Sequence, residues 1–293
     1  VNSDRGPGVV EASAYIEAFR DRIVVVKLGG ELLDGGPVLD RILPQVAVLY
    51  RCGLRPLLVH GGGKQADAEC RARGIERVKY RGRRVTTPEV MEVMLDVVAG
   101  TLNRAIVDRL RREGVPAIGF AEGASEAVRC RLRPPTSEDG ELVDWGLVGD
   151  VFEIDAEPLA PEPGAPWAVP VLPSIGTLDD GSVVNVNADA VAARVASELD
   201  AAKLVLMTGV AGVMESRAAA GPISELTRSE AAQLVIDGVA LGGMRAKIDE
   251  ALTAIDRGVP RVHIISGREP ATLLREIFTD EGCGTLILPD DEG

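Results

Sequence analysis

VVVKLGGELLDGGPVLDRILPQVAVLYRCGLRPLLVHGGGK, residues 24–64, decides how the chain folds. A run rich in β-branched residues, 23–28, ends at Gly29-Gly30, and residues 37–52 then carry the spacing of a helix. Residues 56–60 repeat the buried-strand pattern, stop at Gly61-Gly62-Gly63, and lead into a further helix over about 64–73. Strand, glycine turn and helix, twice in succession, predict a parallel sheet covered on both faces, because strands buried on two sides read as unbroken apolar runs.

The same rhythm extends outward. Residues 9–20 have helical spacing, and residues 74–85 form an excursion with a turn near Arg81-Gly82. A long helix is predicted over 88–112, started either by a Thr86/Glu89 capping box or by Thr87 with Pro88 at the first helical position, and closed by Gly114. Between 115 and 172 the pattern gives short strands at 117–120 and 127–131, a hairpin across 145–154, a loop at 161–166 and a strand at 168–172. The second half alternates again. A short strand at 183–184 precedes a helix at 188–199, and the strand 203–207 ends at Thr208-Gly209. Thr227 with Glu230 caps a helix over 228–236, Gly242-Gly243 opens one over 244–257, and a strand at 262–265, a helix at 270–278 and a strand at 285–288 follow. The predicted architecture is α/β, a three-layer sandwich whose largely parallel sheet is continuous across two lobes, 1–176 and 177–293.

Bulk composition narrows the function. With 46% apolar and 26% charged residues and a mean hydropathy of +0.11, the chain reads as an ordinary soluble protein. The longest apolar runs are too short to span a bilayer, and residues 1–22 carry charge throughout with no apolar leader core, so no membrane or secretory destination is expected. A net charge of −13 with scattered basic residues argues against a nucleic-acid surface but leaves room for a small anionic ligand in a locally positive pocket. The four cysteines, Cys52, Cys70, Cys130 and Cys283, lack CxxC spacing and read as reduced thiols of a cytoplasmic protein.

Chemistry concentrates at glycines and lysines. VVVKLGG (24–30), LLVHGGGK (57–64), MTGVAGV (207–213) and LGGM (241–244) place glycines where backbone N–H groups can approach an anion beside a helix N-terminus. Neither a Walker A loop nor a GxGxxG dinucleotide fingerprint is present. Only Lys27, Lys64, Lys79, Lys203 and Lys247 interrupt an otherwise arginine-based cationic inventory, and Lys27 and Lys247 sit beside paired glycines. His60 and His263 lie in or at the end of apolar strands and read as packed side chains; no Cys/His cluster has metal-ligand spacing. Such a set suits phosphoryl transfer to a carboxylate. With a reference pKa of about 4.3, that nucleophile needs no general base, only alignment and positive charge on the transferring oxygens.

These blocks, with RRVT (83–86), EVMEVMLDVVAGTLNRAIVDRL (89–110), VGD (148–150), VLPSIGTLDDG (171–181), NVNADAVA (185–192), GGMRAKIDEAL (242–252) and FTDEGCGT (278–285), resemble the amino-acid kinase family, in particular its N-acetylglutamate kinase branch, over about residues 15–288. The resemblance implies ATP-dependent phosphorylation of the side-chain carboxylate of N-acetylglutamate, a step of arginine biosynthesis. It assigns Lys27 and Lys247 to the transferring phosphoryl group and Asp189 to holding both. Gly62, Gly63, Arg84 and Asn185 are implied to bind the acyl amino acid. Gly29, Gly30, Thr208, Gly209, Val210, Gly212, Val213, Gly243 and Met244 are implied to form the ATP site. Magnesium is expected to travel with the nucleotide phosphates, with no separate metal site.

Two departures stand out. The family commonly has aspartate after the threonine or serine of its nucleotide strand, where this chain has Gly209; and 121–130 lacks the usual glycine-aspartate-glycine turn. The N-terminal helix and FTDEGCGT resemble the arginine-inhibited, hexameric branch, which implies an arginine site at Glu281 and Gly282 and a homodimer or hexamer. Two other readings are a kinase acting on a carrier-linked aminoadipate or glutamate, and a non-catalytic amino-acid or nucleotide sensor of the same fold.

Overall fold

The computed structural model describes residues 8–290 except 35, 81–82, 121–126, 139, 162–164, 217–218 and 220. Helix α1 (Val9–Phe19) leads into strand β1 (Ile23–Leu28), a 3-10 turn at Gly30–Leu32, α2 (Gly36–Arg51), β2 (Arg55–His60) and α3 (Gly63–Ala72). A two-residue ribbon, β3 (Lys79–Tyr80) with β4 (Arg83–Arg84), precedes α4 (Pro88–Met94), a π-helical stretch at Leu95–Leu102 and α5 (Asn103–Arg112). Then come β5 (Ala117–Gly119), β6 (Val128–Leu132), β7 (Thr136–Glu138), β8 (Glu141–Val143), β9 (Gly149–Ile154), β10 (Val169–Pro173), β11 (Ile175–Thr177) and β12 (Val183–Asn185). The chain continues through α6 (Ala188–Glu198), β13 (Lys203–Thr208), β14 (Glu225–Thr227), α7 (Arg228–Ile236), α8 (Gly242–Asp256), β15 (Val262–Ser266), α9 (Thr272–Phe278) and β16 (Thr285–Leu288).

The main sheet has the order β14-β16-β15-β13-β1-β2-β10-β5, and every neighbouring pair is parallel except β15 with β16. Alternation along β1 shows why it is buried twice. Val24 and Val26 enter a core formed with α2, α5 and α9, whereas Val25 enters one formed with α6 and α8. Lys27 shares the parity of Val25 and therefore faces the α6/α8 layer. A smaller sheet, β12-β11-β6-β9, packs on that layer too, through Val128, Ile154 and Val184.

From β1 the chain first builds outward through β2 and later returns on its other side with β13. At such a switch point the loops leaving the carboxyl ends of adjacent strands diverge and open a crevice, the usual ligand position of an open α/β sheet. Gly29-Gly30, Gly61–63 and Thr208-Gly209 all lie at those ends.

Three local expectations are refined. Thr87 is the N-cap of α4, accepting from Val90 N–H at 3.3 Å with Pro88 following, while Thr86 is buried and accepts from Asn185 Nδ2 at 3.0 Å. The long helix of 88–112 is not α-helical throughout: its middle is π-helical, and this wider turn presses Val98 and Leu102 onto the Gly62 loop. A Cβ on Gly62 would lie 2.7 Å from Val98 Cγ2 and 2.8 Å from Leu102 Cδ1. Glycine is required there by space, since φ of 168° is extended backbone open to any residue. Finally, the hairpin expected across 145–154 forms earlier, between β7 and β8, where Gly140 at φ +84° permits a tight connection; 149–154 instead pairs antiparallel with β6. The turn at Arg81-Gly82, most of the departure at 121–130 and part of the loop at 161–166 lie outside the described residues.

Candidate active site

Three elements converge on one carboxylate. Lys27, next to last in β1, places Nζ 2.7 Å from Asp189 Oδ1, and Lys247, in the second turn of α8, places Nζ 3.2 Å from Asp189 Oδ2. Asp189 occupies the first turn of α6, whose N-cap is Asn187: the Asn187 side chain accepts from Asp189 N–H at 3.0 Å. Only 6%, 8% and 14% of the Lys27, Asp189 and Lys247 side chains is exposed, so the three charges interact in a weakly screened setting. Burial by itself would raise the Asp189 carboxyl, but the two ammonium groups outweigh it and hold the acid below the ordinary range. Two cations share one anion, so the triad carries a net positive charge toward whatever occupies the crevice.

The crevice comprises two adjoining cavities that share Arg84, Asn185, Val186 and Asn187. One, of about 370 Å³, is lined by Asp189, Gly243 and Lys247; the other, of about 430 Å³, by Gly30, Glu31, Gly62, Gly63 and Lys64. Helices α3 and α8 begin here at glycines with no side-chain cap, leaving N-terminal N–H groups available to an anion beside Arg84 and Lys247.

Arg84 is almost fully buried and fixed: Nη1 lies 2.8 Å from Asp67 Oδ1 and Nη2 donates to the Gly63 carbonyl at 2.6 Å. Asp67 also pairs with Lys79 at 2.6 Å. Asp67, overlooked among the sequence candidates although it closes the VHGGGKQAD block, thus tethers the guanidinium to the glycine loop. On the expectation that Arg84 grips an acceptor carboxylate, Asp67→Asn raises the KM for that acceptor about tenfold with kcat within about threefold, read from initial rates at saturating nucleotide, because a loosened guanidinium weakens ground-state binding.

The remaining predicted residues divide. Thr208 and Gly209 end β13 beside Glu31, whose Oε1 accepts from Thr208 Oγ1 at 2.9 Å and Gly209 N–H at 3.1 Å. Val210 is half exposed and Met244 packs at the edge of the α6/α8 core. Val213 is buried and donates its N–H to Thr285 Oγ1 at 2.9 Å; a Cβ on Gly212 would meet the same hydroxyl at 2.7 Å, so these two pack against β16. Gly29 lies under the Glu31 carboxylate. His60 is interior: its Nδ1 meets the Gly61 carbonyl at 2.8 Å, Asn103 Nδ2 approaches Nε2 at 3.1 Å, and burial pushes it down to about 4.

Glu250, lining the first cavity, is pushed up to about 7 by burial, then by Asp189 and Asp249. A glutamate whose folded value exceeds its unfolded value stabilises the fold while protonated, and that contribution is lost as pH rises through the folded value. Glu250→Gln is therefore expected to raise the melting temperature at pH 8, by the equivalent of about 1–3 kcal/mol, and to leave it nearly unchanged at about pH 4.

A third cavity, of about 370 Å³, lies away from the crevice beneath α1 and includes Tyr15, Phe19, Lys203, Glu276, Glu281 and Gly282. Lys203 Nζ sits 4.6 Å from the Phe19 ring centroid, and burial pushes its ammonium down to about 8. Glu276 pairs with His263 at 2.7 Å.

Residues 22–266 match the amino acid kinase family. The chain belongs to that family. It is 38% identical over 287 residues to a protein named acetylglutamate kinase from Symbiobacterium thermophilum, covering 97% of this chain and 98% of that one. Among solved structures it is similar to N-acetylglutamate synthase from Neisseria gonorrhoeae complexed with coenzyme A and N-acetyl-glutamate (TM-score 0.82, 29% identity, 96% of this chain). The chain spans 63% of that synthase's length. The synthase complexed with coenzyme A and L-arginine is also similar (TM-score 0.77, 26% identity), over 95% of this chain and 64% of that one. Among the described residues no helix is long and apolar enough to cross a membrane.

Proposed function

We propose that the chain transfers the γ-phosphoryl group of ATP to the side-chain carboxylate of N-acetylglutamate, in the arginine-biosynthetic role of its named relatives. The observation that carries this reading is Asp189, in the lining of the crevice, bridging Lys27 and Lys247 from two different elements. In the reaction a carboxylate oxygen of the acceptor bonds to the γ-phosphorus while the bond from that phosphorus to the β–γ bridging oxygen breaks. The products are an acyl phosphate and ADP, and no proton need move. The barrier lies in bringing two anions together, so the chain's contribution is charge and alignment. Lys27 and Lys247 meet the equatorial oxygens, and Gly30 and the open N-terminus of α8 add N–H donors. Magnesium, when bound with the nucleotide, neutralises phosphate charge.

Arg84, Asn185 and the Gly62-Gly63 loop hold the acceptor, Thr208 to Val210 with Gly243 and Met244 border the nucleotide, and Gly212 and Val213 anchor that turn on β16. The division at 176/177 gives the acceptor chiefly to the first lobe and ATP to the second. The Lys203 cavity beneath α1, with Glu281 and Gly282, supports arginine as a feedback ligand, in a homodimeric or hexameric assembly. Activity that stays flat up to millimolar arginine removes that part.

The reading is tested by trapping the acyl phosphate with hydroxylamine across N-acetylglutamate, N-acetylaspartate and N-acetylaminoadipate. Hydroxamate from acetylglutamate well above the other two is expected. ATP hydrolysis with no hydroxamate from any of them rejects the reading.

A further inference from the structure

Glu31 has no part in the assignments above, yet the structure is built around its carboxylate. The side chain folds back over its own strand end: a Cβ on Gly29 would lie 2.6 Å from Glu31 Oε2, and a Cβ on Gly209 would lie 3.2 Å from Glu31 Cγ and 3.2 Å from Arg268 Nε. Neither glycine has a positive φ, so what distinguishes them is space: a side chain at either would have to displace the Glu31 side chain from its present position. Their missing side chains form a slot, and the Glu31 carboxylate fills it while accepting from the Thr208 hydroxyl and the Gly209 N–H at 2.9 and 3.1 Å. This single contact joins the turn after β1 to the turn after β13. One carboxylate fits, and an acid at 209 would meet both Glu31 and the Arg268 guanidinium.

We propose that Glu31 is the positioning residue for the nucleoside triphosphate, its carboxylate reaching from the β1 turn to fix the Thr208-Gly209 turn for nucleotide. The proposal rests on the crevice being an ATP-dependent phosphotransferase site. Burial favours the neutral acid, but the backbone, the Thr208 hydroxyl and then Lys27 and Lys247 hold Glu31 below the ordinary range, so the acceptor is charged and its hydrogen bonds are of the stronger kind.

A reciprocal exchange tests it. A non-hydrolysable ATP analogue is titrated into the wild type, Glu31→Ala, Glu31→Gln, Gly209→Asp and the double variant Glu31→Ala/Gly209→Asp, and KM is measured separately for ATP and N-acetylglutamate. Glu31→Ala is expected to weaken the analogue about tenfold or more while the KM for the acceptor stays within about twofold. Glu31→Gln keeps an oxygen acceptor and stays within about threefold of wild type. Gly209→Asp alone crowds two acids into one slot and weakens nucleotide about tenfold, whereas the double variant, with the acid back on the strand beside Arg268, returns to within about threefold of wild type. The proposal is overturned by additive losses in the double variant, by unchanged nucleotide affinity in Glu31→Ala, or by both KM values rising together. Should Glu31→Ala fail to fold, Glu31→Gln and Gly209→Asp decide alone: the first near wild type and the second selectively weak for nucleotide supports it, and any other pairing overturns it. A wild type that binds the analogue and shows this pattern but makes no acyl phosphate would sink the functional reading and leave the role of Glu31 standing.

Discussion

Replacing Lys27 by alanine is expected to lower kcat at least about a thousandfold, roughly 4 kcal/mol of transition-state stabilisation, while nucleotide and acceptor affinities change by less than about threefold. The reason lies in its position. Lys27 is held by β1 and anchored at 2.7 Å to Asp189, which lines the crevice, so its ammonium is already oriented before substrate arrives. A charge so placed is worth most to oxygens that gain negative character as the phosphoryl group moves, and little to the ground state. The fold survives, because Asp189 keeps Lys247 at 3.2 Å. Rapid-quench rates and equilibrium titrations on the same preparation check this. Turnover within tenfold of wild type would mean that another group carries the charge. Lys247→Ala should lose a comparable factor, and the double variant far less than the product of the two, because the pair acts on one group of oxygens.

The effect expected of Asp189→Asn reaches stability as well as rate. The amide carries no charge to set against two buried ammonium groups, which then repel one another and leave their positions. A loss of about a hundredfold to a thousandfold in kcat is expected. Removing one partner of a buried ion pair also costs about 3–5 kcal/mol of folding stability. The pH dependence has a definite sign. The folded value of Asp189 is depressed, so its contribution is present above the unfolded value of about 3.9 and is lost as pH falls through the lower folded value. Denaturant melts of wild type and Asp189→Asn should differ most near neutrality and converge in acid. A gap that stays constant to pH 2 would show that the carboxylate charge is not what stabilises the fold.

Much of this was legible in the sequence because local causes wrote it there. The apolar runs at β1 and β2 stop at glycines, and the capping box of Thr227 with Glu230 forms as read, both reciprocal bonds included. The Lys27–Asp189–Lys247 cluster could be anticipated only through family resemblance, since its members are far apart in sequence and no spacing rule joins them. The π-helical stretch was hidden because apolar periodicity does not distinguish 3.6 residues per turn from a locally wider turn; only the Gly62 loop pressed against Val98 and Leu102 shows what the widening serves. Glu31 and Asp67 were missed for the opposite reason. Each looks like an ordinary surface acid, and its importance resides in a partner brought by tertiary folding: Gly209, 178 residues further along, and Arg84 across a ribbon. The displaced hairpin was a plain oversight of turn chemistry, since Asp139-Gly140 carries the two-residue signal in the sequence.

The most direct test of the central claim is the affinity of wild type and Lys27→Ala for ADP with aluminium fluoride in the presence of N-acetylglutamate, a mimic of the phosphoryl group in transit, measured beside their affinity for ADP alone. The expected result is a loss of at least about a hundredfold for the mimic in the variant, with ADP affinity within about threefold. Equal affinity of the two proteins for the mimic would contradict the claim that the paired lysines exist to stabilise the transferring group.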